Sequence, residues 1–206
     1  PHSGFQRLAA GRTLIIVDTG KPVGGGRPNS HAGTLSFEMS VGKDRLVVNC
    51  GTPNSEGHKW LTAMSVTAAH STLSINNLSS SQFDKNGLLL GPKTVECRRS
   101  EADGAVWLDT SHDGYLDRVG IIHRRKLFLD ASGDDFRGED KVEGSIGEDY
   151  TIRFHLHPSV QASQSQGLRS VLLKLYKGAG WKFQASGGTI CIQESVYLNG
   201  LNEPRR

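Results

Sequence analysis

A chain of 206 residues with a net charge of +3 and a pI near 8.9 can bury a core as a single domain, and β-sandwiches of roughly 200–250 residues are ordinary single units. The positive balance suits an acidic polymer, but Lys and Arg form no block of the kind that marks a nucleic-acid surface.

In chain order, Phe5 to Ala9 and Thr13 to Asp18 read as strands around an Ala10-Gly11 turn. Lys21 to Ser30 is a Gly/Pro-rich loop. Its Gly24-Gly25-Gly26 leads into a strand pattern rather than a helix, which argues against a phosphate cradle. Leu35, Phe37, Met39 and Val41 alternate with polar residues, the period of a half-buried strand. After a turn at Gly42-Lys43-Asp44, Arg45 to Cys50 returns as the next strand, and Gly51 to Lys59 is a polar loop. Ser71 to Ile75 is β-branched enough for a strand, and a Ser/Asn-rich loop with an Asn86-Gly87 turn follows.

In the second half, Thr94 to Ser100 and Ala105 to Thr110 form a hairpin around Asp103-Gly104, and Ser111 to Tyr115 reads as an exposed connection. Val119 to Leu129 is a long strand with a basic middle, His123-Arg124-Arg125-Lys126. Asp134 to Val142 is charged enough for a solvated edge or outer strand. Tyr150, Ile152, Phe154 and Leu156 alternate along another strand, followed by Val171 to Tyr176, Trp181 to Ala185 and Thr189 to Leu198. No segment holds a helical period with caps. The expected fold is all-β: a multi-stranded antiparallel, supersandwich-like β-sandwich over residues 1–198 with almost no helix, and a tail over 199–206. Leu35, Phe37, Met39, Ile152, Phe154, Leu156, Ile190 and Ile192 are the expected core.

Cys50, Cys97 and Cys191 are far apart and odd in number, so they define no disulfide framework. Each sits in a strand-like run where a small buried side chain is expected. No charged-then-apolar leader and no apolar run of membrane-spanning length is visible. A start at Pro1 without Met is what an internal fragment of a longer protein would show.

Several constellations could carry chemistry. His31, Asn49 and His70 each fall at a strand end and could meet at a shared site; two imidazoles and an amide are a plausible but weakened zinc set, because the amide carries no charge. The alternative is three polar side chains hydrogen-bonded to loops. His155 and His157 share one face of a strand, which can hold a metal but more often faces solvent. His123, Arg124 and Arg125 could bind an anionic sugar through the planar guanidinium fork, or be a charged strand middle on the outer face. There is no Gly-x-Ser-x-Gly elbow. Asp134-Asp135 and Glu139-Asp140 are adjacent residues that a strand would point to opposite faces, not a glycosidase pair.

The stretch Asn29-Ser30-His31-Ala32-Gly33-Thr34-Leu35-Ser36-Phe37, then Asn49-Cys50-Gly51, then Ala69-His70-Ser71-Thr72 resembles the signature of the heparinase II/III family of polysaccharide lyases, in its C-terminal β-sandwich part. His112-Asp113-Gly114-Tyr115, His123-Arg124-Arg125, Gly138-Glu139-Asp140, Phe154 to Pro158 and Glu194 to Tyr197 extend the resemblance, in order, over nearly the whole chain. The resemblance implies that His31 and His70 stand at two zinc positions, Asn49 at the third, where the family has Asp, and Asn29 at the catalytic His. Gly33 stands where the first motif has Asp. It further implies an upstream helical toroid as partner domain, an acidic polysaccharide as substrate, and a periplasmic or cell-envelope location. With Asn at the catalytic His position, the fragment alone is expected to be inactive, and any zinc to be weakly held. Two functions stand side by side: the β-domain of a polysaccharide lyase acting by β-elimination, and a non-catalytic sandwich that buttresses the toroid or binds glycan or protein.

Overall fold

The computed structural model describes residues 3–22, 30–53, 59–84, 89–144, 147, 149–165, 169–176, 180–199 and 204–205. Asn29, Gly24-Gly25-Gly26 and Asn86-Gly87 lie outside the described residues.

The first sheet is built by β1 (Phe5–Ala10), β2 (Thr13–Asp18), β3 (Phe37–Val41) and β4 (Asp44–Val48), each antiparallel to the next. Between the fourth strand and β5 (Leu73–Ile75) come a short helix α1 (Leu61–Ser65) and a 3-10 turn over Thr67–Ala69. Two short strands, β6 (Gln82–Phe83) and β7 (Leu89–Leu90), pair with each other. β8 (Val95–Ala102) and β9 (Ala105–Tyr115) form the predicted hairpin, with Asp103 and Gly104 at φ 51° and 80°. Positive φ at both central residues is what a two-residue turn needs to match the twist of its strands. A helical turn, α2 (Leu116–Val119), ends at left-handed Gly120 and leads to β10 (Ile121–Leu129) and β11 (Phe136–Gly144). The second sheet has the order β11-β10-β9-β8, so the charged strand is an edge, as the sequence implies.

β12 (Tyr150–Ile152) pairs with β5, whereas β13 (His155–Leu156) joins β4 at the edge of the first sheet. The run from Tyr150 to Leu156 is therefore two strands rather than the one expected. The chain changes sheets at Arg153, whose N–H donates to Thr72 O at 3.0 Å. β14 (Gln161–Gln164), β15 (Ser170–Lys174) and β16 (Gly180–Gln184) form a third antiparallel sheet, and β17 (Tyr197–Leu198) pairs with β18 (Pro204–Arg205).

One apolar core joins the three main sheets. Leu8, Ile15, Val17, Phe37 and Met39 come from the first, Leu108, Leu127 and Leu129 from the second, and Val171 and Leu173 from the third. Phe37 stacks edge-on against Phe136 and tilts against Phe154, tying the layers together. The fold is the expected all-β antiparallel sandwich, with helix confined to short turns among the described residues.

The sequence reading needs correction at three places. Ser111 to Tyr115 is the end of β9, with Ser111, His112 and Tyr115 buried rather than exposed. A bulge there keeps Tyr115 paired with Ile121, and the buried Tyr115 hydroxyl donates to Leu73 O at 2.9 Å. Thr189 to Val196 is irregular, and Ile192 and Cys191 are exposed rather than core. The long basic strand starts at Ile121, because Gly120 closes a helical turn before it.

Candidate functional site

Residues 30–36 form an arm laid against α1 and the 3-10 turn. Ala32 N–H donates to Ser65 O at 2.8 Å, Thr67 Oγ1 donates to Ala32 O at 2.7 Å, and Leu35, held at φ 62°, donates its N–H to Asp18 O. The arm carries His31. The 3-10 turn delivers His70, whose N–H closes the turn on Thr67 O at 2.9 Å. The two imidazoles meet edge to face, with His31 Nδ1 and His70 Nε2 3.2 Å apart and ring centroids at 5.2 Å.

The tautomers follow from the partners. Val66 O lies 2.8 Å from His70 Nδ1, and a carbonyl only accepts, so Nδ1 carries the proton. Burial pushes the His70 pKa down to about 4, against the Val66 bond that favours the proton, so the ring is neutral at pH 7 and Nε2 is bare. The bond between the rings therefore uses a proton on His31 Nδ1. His31 is also lowered by burial, with the Met64 backbone acting the other way, so its Nε2 is bare too and accepts from Thr52 Oγ1 at 3.3 Å. His31 is only partly buried, whereas His70 is 6% exposed. The pair thus presents one unprotonated imidazole nitrogen, fixed from behind, at its outer end.

Gly33 leaves the His70 ring its room. A Cβ at that position would stand 2.8 Å from His70 Cδ2. Any side chain there must move the ring.

Asn49 follows β4 and lies beside the pair in the hydrogen-bond network. Its Oδ1 accepts from Ser71 N–H at 2.8 Å. Ser71, next to His70, is bound at every polar atom: Oγ donates to Val48 O at 2.7 Å and accepts from His155 N–H, and its carbonyl accepts from Arg125 Nη1 at 3.0 Å. Sequence reasoning missed Ser71 and Val66, whose roles are set by backbone geometry that no local pattern signals.

Zinc requires about four N, O or S donors at ~2.0–2.3 Å. A 3.2 Å separation of the two ring nitrogens suits two corners of such a tetrahedron as well as it suits a hydrogen bond. The third member is neutral, and its oxygen is already engaged by a backbone N–H. No group of three His, Cys, Asp or Glu among the described residues could hold a metal. The donor set does not fit a resident zinc.

His123, Arg124 and Arg125 do not act as one basic patch. Strand alternation turns His123 and Arg125 inward, 0% and 1% exposed, and leaves Arg124 outside with Asp109 and Glu143. Arg125 grips Asp140 through two bonds of 2.7 and 3.0 Å and donates to Leu35 O and Ser71 O. His123 Nε2–H donates to the same carboxylate at 2.7 Å, and its Nδ1 lies 3.3 Å from His112 Nε2. Burial alone would raise the Asp140 carboxyl, but Arg125 and His123 together hold it well below the usual carboxylate range. His123 and Arg125 are buried and engaged with Asp140, and Arg125 braces the arm and the His70 turn from within. His155 and His157 are likewise committed. His155 lies between Ala68 O and Ser195 Oγ, with Cys50 Sγ at 3.4 Å, and His157 bonds Ser159 Oγ.

The all-β sandwich is a fold also found in solved heparan sulfate lyase and heparinase III structures. A heparan sulfate lyase HepC mutant from Pedobacter heparinus superposes with TM-score 0.71 over 96% of this chain and 31% of that one, at 12% identity. A heparinase III matches with TM-score 0.72 over 95% of this chain and 30% of that one, at 18% identity. The profile of the family described as heparinase II/III-like, C-terminal, matches residues 1–206, and the chain belongs to that family. Among curated proteins, FtsZ-localized protein C of Caulobacter vibrioides is 35% identical over 97% of this chain. The chain spans 38% of that relative's length. No helix among the described residues is long and apolar enough to cross a membrane.

Proposed function

We propose that this chain is the β-domain of a longer heparinase II/III-like protein that cleaves an acidic, uronic-acid-containing polysaccharide by β-elimination, and that His31 is the group the domain contributes. The observation that carries the reading is the bare, outward Nε2 of His31, held by the neutral His70 behind it. In the elimination a base takes the proton next to the sugar carboxylate, the bond to the leaving oxygen breaks as the double bond forms, and that oxygen is protonated. A neutral imidazole with an accessible lone pair is chemically suited to the first step, and Thr52 is displaced as substrate enters. The groups that neutralise the carboxylate and protonate the leaving oxygen come from a partner domain, with an upstream toroid as the expected one. A periplasmic or cell-envelope location goes with this reading, because that is where such a polymer would be met.

The test is ultraviolet absorbance of the unsaturated product, using the complete translation product that contains this chain, on heparan sulfate, heparin and alginate. Elimination that is lost in His31→Gln with folding intact supports the reading. No elimination on any uronic-acid chain overturns it.

A second reading is favoured by the 35% identity to FtsZ-localized protein C. In it the domain keeps the sandwich as a platform that binds a partner protein of the FtsZ type. Co-sedimentation with FtsZ polymers, unchanged by His31→Gln and without elimination activity, is its signature.

A further inference from the structure

A cavity of about 270 Å³ is lined by Thr62 and Ser65 of α1 and by Ser81, Gln82, Phe83 and Arg118 among others. Its size is just below the ~300–1,000 Å³ of common ligand pockets, enough for one sugar-sized group. Two observations give it a chemical preference. Among the described residues no carboxylate pairs with Arg118. Its guanidinium is held in place by Nη2 donating to Ser79 O and, at 2.9 Å, to Gly114 O, and it lies over the Tyr115 ring at 5.7 Å. A pre-set cation without a counter-charge lines the cavity, beside a half-exposed aromatic ring, Phe83 at 45%, and the exposed residue Gln82. A fixed guanidinium suits carboxylate or sulfate through its planar fork.

The cavity is also wired to the histidine pair. Ser65 O accepts from Ala32 N–H beside His31, and Val66 O accepts from His70 Nδ1. Thr67, between them, accepts Ser80 N–H on its Oγ1 at 2.8 Å and donates its own N–H to Ser79 Oγ at 3.1 Å. The same three residues, Ser65, Val66 and Thr67, therefore position both places.

We infer that this cavity is a subsite for the carboxylate or sulfate of one unit of an acidic saccharide, with Arg118 as the anion contact, Gln82 as a hydrogen-bonding group and Phe83 as the apolar wall. This rests on the acidic-polysaccharide reading above. Arg118 also supports two backbone carbonyls, so its replacement can disturb the fold; the exposed Gln82 carries the cleaner substitution.

The experiment is a titration of the 15N-labelled chain with three probes: an unsulfated glucuronate-containing tetrasaccharide, its sulfated counterpart and a neutral cello-tetrasaccharide. Amide shifts should move around Gln82, Phe83 and Arg118 with the charged probes only. Gln82→Glu, which sets a like charge at the rim, should weaken the charged probes at least tenfold, and Arg118→Gln should do the same where circular dichroism shows it folded. A preference for the sulfated probe identifies sulfate as the bound group; equal affinity identifies the carboxylate. Equal binding of the neutral probe, charged-probe binding that Gln82→Glu leaves unchanged, or no shift at these residues overturns the subsite. Binding is read without turnover. Failed elimination with intact binding removes only the catalytic reading, and elimination unaffected by Gln82→Glu removes only the subsite.

Discussion

Two histidine pairs in this molecule share almost the same geometry and differ in everything that follows from it. His31–His70 and His112–His123 both meet edge to face with centroids at 5.2 Å, at 83° and 85°, with ring nitrogens 3.2 and 3.3 Å apart. The inner pair is closed at both ends. Gly114 N–H donates to His112 Nδ1 at 3.0 Å, and His123 Nε2–H donates to Asp140, which Arg125 neutralises. Every proton and lone pair is used, and neither ring is more than 2% exposed. The outer pair is held behind by Val66 and by the Met64 backbone, and its last nitrogen meets a hydroxyl at 3.3 Å near the surface. A histidine pair becomes a site through its unfinished end, not through the contact between its rings.

The inner network is the place where a single change costs most. Asp140→Asn leaves the buried Arg125 charge unpaired and should cost about 3–5 kcal/mol in urea unfolding, whereas Arg125→Met with Asp140→Leu should recover much of that loss. Phe37→Ala, which opens the core between the three sheets, should cost a comparable ~3–5 kcal/mol. If Asp140→Asn is mild, the closed pair is not the brace described above.

Acid should separate the regions next. Burial lowers the pKa of His70 to about 4 and also lowers His31, His112, His123 and His155. A histidine kept neutral in the fold contributes its full stability above the unfolded value near 6.5 and loses it as pH falls toward the folded value. His70 alone accounts for a loss on the order of 3 kcal/mol between pH 6.5 and 4. Asp18 opposes this, since burial raises it to about 6, so its protonation between pH 6 and 4 favours the fold. The net change should still be a fall, and Asp18→Asn should make it steeper. Urea midpoints across that window check both.

Much of this was legible in the sequence. The all-β class, the Asp103-Gly104 hairpin and the charged edge strand came from period and turn chemistry. His31 and His70 came from the family resemblance. The basic run was misread because its composition outweighed its period: alternation already places His123 and Arg125 on the face of Ile121, Leu127 and Leu129. What pays for their burial is Asp140, directly across the ladder from Arg125, and strand register cannot be read from one chain's local pattern. Ile192 was misread for the opposite reason, since its alternation is real but no strand forms there. The Arg118 cavity has no sequence signal, being assembled from two helical turns and a loop.

Smaller effects sharpen the outer pair. Gly33→Ala places a Cβ against the His70 ring and should cost about 1–3 kcal/mol, while shifting the His31 and His70 resonances and sparing those of His112 and His123. Asn49→Asp restores a charge beside the pair and should strengthen zinc binding at least tenfold in calorimetry, in line with the ~10–100-fold weight of one ligand or supporting group. Equal affinities would show that Asn49 is not the limiting donor.

The most direct measurement is the 15N shift and proton coupling of the histidine ring nitrogens at pH 7. His70 should be the Nδ1–H tautomer with bare Nε2, and His31 should be neutral with its proton on Nδ1 and a bare Nε2 whose shift responds to added acidic oligosaccharide. An imidazolium at either position, or a proton on His70 Nε2, would contradict the assignment of His31 Nε2 as the open end of the site.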